Sequence, residues 1–286
     1  MILIENMLAA TDPMQHVIPH TLFHVGPMAF TNHMLMLLVA AALLAVGFPL
    51  MARNYPMVPS GVRNLVESLM VFIRNEVAKP SLHEHTDRFM PFIWTVFFFI
   101  LVNNLLGLVP LDPLSVLILG RGHIVGPATA GMSVTAGLAL VSFFVIHVAG
   151  IREQIAHQRH HGRSGGSAVL MGIVMYFHGL VPAIPGILGV ILFVPFLGLE
   201  LLGAAVKPFA LCIRLFANML AGHVVLASLL VLAPAIHNIA DLGLSVPVVL
   251  GCAALSCLEL FVAFLQAYIF TFLTCMFIGA AVSPQH

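Results

Sequence analysis

Residues 186–281 constrain the fold more than any other stretch, because they are apolar almost throughout and interrupted only by a short turn at about 235–246. A membrane-spanning helix needs about 20 apolar residues. The two halves, roughly 186–234 and 247–281, are both longer than that. At about 1.5 Å per residue a helix of the first length reaches about 73 Å, against a hydrocarbon core of about 30 Å. Each half must therefore break or lie steeply tilted. Pro195 and Pro208 are candidate kinks in the first. Asn238, Asp241 and Gly243 mark the turn between the two.

Little in the remaining sequence could face water. Only 8% of residues are charged and 60% are hydrophobic, whereas soluble domains carry about 25% charged residues. Lipid must be the main solvent. A net charge of zero excludes nucleic-acid binding, which needs clustered Lys and Arg. Nothing resembles a soluble catalytic domain. The first 52 residues hold no Lys or Arg, so neither a secretory signal nor a transit peptide is expected there. Cys212, Cys252, Cys257 and Cys275 lie in apolar stretches without metal or redox spacing and read as buried free thiols.

Further spans are expected at 32–52, closed by Arg53, and at about 90–110 and 131–150, with a loop holding Asp112, Pro113, Arg121, Gly122 and Pro127 between the last two. The stretch 60–79 differs in kind. It mixes Leu65, Val66, Leu69, Met70, Val71 and Ile73 with Arg63, Glu67, Arg74, Glu76 and Lys79, the pattern of an amphipathic helix lying at the interface. Residues 151–166, with Arg152, Glu153, His157, Arg159, His160, His161 and Arg163, read as a polar loop. The expected fold is an all-α membrane protein in a single domain: about five transmembrane helices plus the interfacial helix, preceded by a tail over 1–31.

Charge sets the orientation. The segments 53–89 and 151–166 carry Arg53, Arg63, Arg74, Lys79, Arg88, Arg152, Arg159 and Arg163, while the segments on the other side carry only Arg121. By the positive-inside rule the tail lies outside and the C-terminus inside.

Lys207 and Arg214 fall inside the membrane, with Glu200, Glu259 and His223. An Arg near the bilayer centre costs about 2.5–3.5 kcal/mol on insertion scales, so it must face a partner or a water-filled cavity. Glu200, Lys207 and Arg214 are spaced by seven and form one helical stripe, which Asn218 continues. Glu259 and Gln266 share a face in the same way. Structural neutralisation accounts for Glu200 and Lys207 as well as a functional role does. It serves Arg214 less well, because a guanidinium stays charged at any usable pH and can both block proton leakage and attract a mobile carboxylate. His223 lies outward of Arg214, and Glu259 outward of Gln266. Two titratable groups at matching depth suit proton transfer. His157, His160 and His161 read as a solvated cluster rather than a metal site, and His147 and His178 as packing residues. No cofactor or metal is expected.

These residues carry a resemblance. The run Arg214-Leu215-Phe216-Ala217-Asn218-Met219-Leu220-Ala221-Gly222-His223 closely resembles the core motif of the subunit a family of rotary F-type ATP synthases, and Lys207-Pro208 stands before it as in many members. Leu258-Glu259-Leu260 and Leu265-Gln266-Ala267-Tyr268-Ile269-Phe270 look like the last helix of that family, and Asn103-Asn104-Leu105-Leu106-Gly107-Leu108-Val109-Pro110 like its earlier hairpin signature. The resemblance covers most of the chain from about residue 60. It implies a non-catalytic stator subunit, with Arg214 facing a ring of c subunits and the rotor carboxylate, and Asn218 and Gln266 as its polar neighbours. His223 and Glu259 would line an outer half-channel, in one of two orders found in the family, and Glu200 would face an inner one. It further implies a peripheral-stalk subunit b as partner, and long tilted last helices. The membrane would be a bacterial inner membrane, with a mitochondrial one as the alternative. The residues alone leave open a cation transporter with a midplane site, whose usual internal repeat is not visible here, and a non-catalytic subunit of a respiratory complex.

Overall fold

The computed structural model describes residues 21–25, 28–53, 60–109, 132–160, 165–181, 187–232 and 239–282. A short antiparallel hairpin, β1 (Thr21–Val25) and β2 (Met28–Thr31), pairs His24 with Ala29 and leads into α1 (Asn32–Arg53). The next helical run is continuous but irregular. It comprises α2 (Val62–Phe72), a π-helical segment (Ile73–Ala78), α3 (Lys79–Leu82), a 3-10 turn (His83–His85) and α4 (Thr86–Leu108). Then follow α5 (Met132–His160), α6 (Gly166–Gly179), α7 (Ile187–Leu232) and α8 (Ile239–Val282).

Among the described residues, four stretches are long and apolar enough to cross a membrane, by length and composition: Asn32–Met51, Val62–Leu108, Val134–Arg159 and Val246–Val282. The distribution of polarity is that of a protein in lipid. Leu50, Val194 and Leu250 are more than 60% exposed, while Asn103, Asn104, Gln266 and Thr271 are at most 2% exposed. In water the reverse would hold.

Three segments depart from the sequence reading. The polar residues 151–160 form no loop; they are the last turns of α5, where Glu153 pairs with Arg88. Helix α6 is not among the expected spans, because 14 apolar residues fall short of one. Residues 239–246, expected as part of a turn with Asp241 and Gly243, are the first turns of α8. The loop over 111–130 and residues 235–238 lie outside the described residues.

The chain divides into two compact units. One comprises Met1–Arg63, Thr95–Thr135 and Ile213–Ile269. Its core joins α1, the second half of α4 and the first half of α8. Phe98 meets Phe48 edge-on at 5.2 Å and Phe97 meets Phe264 at 6.0 Å. The Arg63 guanidinium donates to the Met51 carbonyl and ties the start of α2 to the end of α1.

The other unit comprises Asn64–Trp94, Ala136–Cys212 and Phe270–His286. Here the joint between α3 and α4 is held closely. His83 adopts φ +47°, a backbone conformation unfavourable for a side chain with a Cβ. Its carbonyl accepts a hydrogen bond from the Thr86 hydroxyl at 2.6 Å, which ties the turn to the start of α4. Arg74 pairs with Asp87 at 2.7 Å and Arg88 with Glu153 at 2.8 Å, and the Trp94 indole donates to the Met70 carbonyl at 3.1 Å. His147 shares a 2.7 Å hydrogen bond with the Tyr176 hydroxyl, which satisfies an imidazole nitrogen inside a spanning helix. The end of α8 reaches the same joint, where Gly279 lies against the Ser81 carbonyl so closely that a Cβ would overlap it.

That contact is testable. A backbone carbonyl cannot swing aside, so Gly279→Ala should cost about 1–3 kcal/mol. It should lower the thermal midpoint of the detergent-solubilised protein, while Gly137→Ala, which faces open space, leaves it unchanged.

Candidate functional site

The first unit holds Arg214, Asn218, His223, Glu259 and Gln266 on α7 and α8. From residue 209 onward α7 contains no proline, and its Leu, Ala and Val residues sustain an uninterrupted helix. One stripe of that helix is exposed: Arg214, Ala217, Ala221, Val225 and Ser228. Arg214 thus stands on an open face beside two alanines rather than within the helix bundle.

The other side of α7 meets α8. The Glu259 carboxylate lies against the backbone at Gly222, where any Cβ would overlap it. Leu229 touches Gly251 on the same seam. Only glycine at 222 allows the carboxylate so near the helix axis. These two contacts fix an antiparallel register, with 222 opposite 259 and 229 opposite 251. At equal rise per residue, Arg214 comes level with Gln266, and Asn218 level with Val262.

On α8, Glu259, Ala263 and Gln266 share a face. Into that face reaches Asn104 of α4, whose Nδ2 donates to the Ala263 carbonyl at 3.2 Å. Its neighbour Asn103 donates instead to Phe99 of its own helix at 2.7 Å. Glu259 Oε1, Gln266 Nε2 and the Oδ1 atoms of Asn103 and Asn104 are all buried with no hydrogen-bond partner among the described residues. Buried polar atoms without partners are rare, and their concentration along one seam marks a site rather than a packing core.

Of the residues singled out from sequence, Glu259 and Gln266 share this seam, with Arg214 on the open face level with Gln266 and about two turns from Glu259. Glu200 and Lys207 stand earlier on α7, 14 and seven residues before Arg214, and Glu200 is exposed. The side chains of Lys207, Asn218 and His223 lie outside the described residues. Asn104 and Gly222 were visible only as letters within motifs. The signal for Asn104 was an amide pair in an apolar run, and Gly222 had none, since only the neighbouring helix reveals why it lacks a side chain. Among the described residues no three His, Cys, Asp or Glu side chains gather to hold a metal.

Chemically, the arrangement sets a permanent cation on an outward face, with the Gln266 amide at its level and a carboxylate about two turns away inside the seam. The cation can hold an incoming anion. The carboxylate can carry a proton, and the amides can order water or a proton donor without becoming charged.

The register predicts its own check. With native cysteines replaced by Ser, Leu226→Cys and Leu255→Cys should form a disulfide on mild oxidation, seen as a mobility shift. Val225→Cys, on the exposed stripe, should not cross-link to the same partner.

The family described as ATP synthase A chain matches residues 34–279. ATP synthase subunit a of Anaeromyxobacter dehalogenans is 40% identical over 253 residues, which cover 88% of this chain and 57% of that protein. The subunit a of Chloroherpeton thalassium is 40% identical over 267 residues, covering 90% and 68%. ATP synthase subunit a 2 of Chlorobaculum tepidum is 34% identical over 288 residues, covering 98% and 71%. The chain therefore spans less than two thirds of the Anaeromyxobacter relative.

Proposed function

The chain belongs to the ATP synthase A chain family, and from that premise we propose that it is the non-catalytic, proton-conducting stator subunit of a rotary F-type ATP synthase, beside a ring of c subunits in a bacterial inner membrane. The observation that carries this reading is the exposure of Arg214 on an apolar helix next to Ala217 and Ala221. A guanidinium left facing lipid costs about 2.5–3.5 kcal/mol on insertion scales. Small residues beside it let another helix approach closely. A rotor helix carrying a carboxylate satisfies both conditions.

In this mechanism a proton enters from the outer side past Glu259 and His223 and neutralises a rotor carboxylate. The neutral carboxyl can enter lipid, because the desolvation cost of its charged form has gone. After almost a full turn the carboxyl reaches the inner half-channel near Glu200 and Lys207, where it ionises and is drawn to Arg214. Each charge moved through 100 mV contributes about 2.3 kcal/mol. Arg214, with Asn218 and Gln266 beside it, separates the two half-channels. A subunit b of the peripheral stalk holds the chain against rotation. No covalent bond is made or broken within it.

Inverted membrane vesicles test the proposal. Arg214→Ala should abolish ATP-driven proton pumping while the complex still assembles and hydrolyses ATP. Persistent coupled pumping would reduce Arg214 to a structural charge and favour a transporter. A second expectation concerns Gly222→Ala, which pushes the Glu259 carboxylate off the α7 backbone. Displacing that carboxylate should slow ATP-driven proton uptake, measured by the quenching of a pH-sensitive dye.

A further inference from the structure

The second unit contains a surface that proton translocation does not use. Helix α5 has 29 residues, about 43 Å of helix against a hydrocarbon core of about 30 Å. Its Glu153 is bonded to Arg88 in the first turn of α4 at 2.8 Å, so the inner boundary passes near residue 153. Arg152, just before it, and Arg159, nearly two turns beyond it, are both exposed and seven residues apart on one face. Because Glu153 is already neutralised by Arg88, the local charge is positive.

Helix α6 packs antiparallel on this same stretch. Gly150 lies against the Tyr176 ring and Gly172 against the Ile155 backbone, each too close for a Cβ, and Gln158 Nε2 reaches Met175 Sδ at 2.7 Å. The pairing of 150 with 176 and 155 with 172 brings Arg152 level with Val174 and Arg159 level with Ser167. At that depth α6 exposes Leu170 at 69% and Val174 at 53%. A 14-residue apolar helix is too short to span and suits an interfacial or re-entrant segment. Two exposed arginines thus lie at the headgroup level beside exposed aliphatic side chains that run toward the hydrocarbon.

We propose that the α5–α6 hairpin is a binding surface for an anionic phospholipid of the inner leaflet. Arg152 and Arg159 hold the phosphate group, and Leu170 and Val174 lie along an acyl chain. Charge complementarity selects this occupant: the apolar face alone would accept any lipid, whereas the arginine pair discriminates in favour of negative headgroups. The inference does not depend on the role of Arg214, and its test reads lipid rather than proton movement.

The intact complex, purified in micelles containing equal amounts of phosphatidylglycerol and phosphatidylcholine, is compared by native mass spectrometry with its R152Q/R159Q and R152K/R159K variants. Each arginine is expected to contribute about fivefold to the preference for the anionic lipid at low salt. The glutamine variant should lose about thirtyfold in that preference at one site, with its subunit composition unchanged, and the lysine variant should retain it. An unaltered preference in the glutamine variant overturns the proposal. So does loss of a protein subunit with lipid retention unchanged, which would identify the surface as a protein contact.

Discussion

A fixed positive charge on the exposed face of an apolar helix is the constraint around which the first unit is organised. Arg214 cannot shed its proton, and its open stripe runs on through Ala217, Ala221, Val225 and Ser228. Lipid cannot solvate it well, so the isolated chain is incomplete at this position. A soluble protein would bury or pair such a group. Here the helix presents it outward, on a surface smooth enough for another helix to pass.

Behind that face the same economy of charge operates in reverse. The seam of α7, α8 and α4 contains a carboxylate, two asparagines and a glutamine, all with buried atoms that find no partner among the described residues. The Asn104 bond to the Ala263 carbonyl ties α4 to α8. It draws α4 onto the face of α8 that carries both Glu259 and Gln266, so one amide fixes the lateral position of two candidate groups. Close helix approach at Gly222 completes the arrangement by letting the carboxylate lie against α7.

The second unit solves a different problem, the anchoring of long helices where they leave the hydrocarbon. Ion pairs between Arg74 and Asp87 and between Arg88 and Glu153 join segments distant in sequence. Both pairs are partly exposed, so each contributes at most about 1 kcal/mol. The close backbone contact of Gly279 with Ser81 and the packing of Gly150 on Tyr176 carry more of the specificity, because backbone and ring cannot retreat.

Much of this was legible in the sequence. The all-α membrane class followed from apolar length, and the stripe of Arg214 with Asn218 and the shared face of Glu259 and Gln266 followed from helical periodicity, because 3.6 residues per turn is a local property. Family membership rested on motifs that are local as well. What the sequence could not supply was anything set by contact between segments far apart along the chain: that Arg214 faces outward, that Asn104 bridges to α8, and that Gly222 lacks a side chain because Glu259 occupies its place. It also misjudged residues 151–160, where polarity suggested a loop but packing of α6 and the Arg88 ion pair sustain a helix. Periodicity tells which residues share a face. Only the packed helices decide what that face meets, since lipid-exposed and buried apolar residues are drawn from the same amino acids.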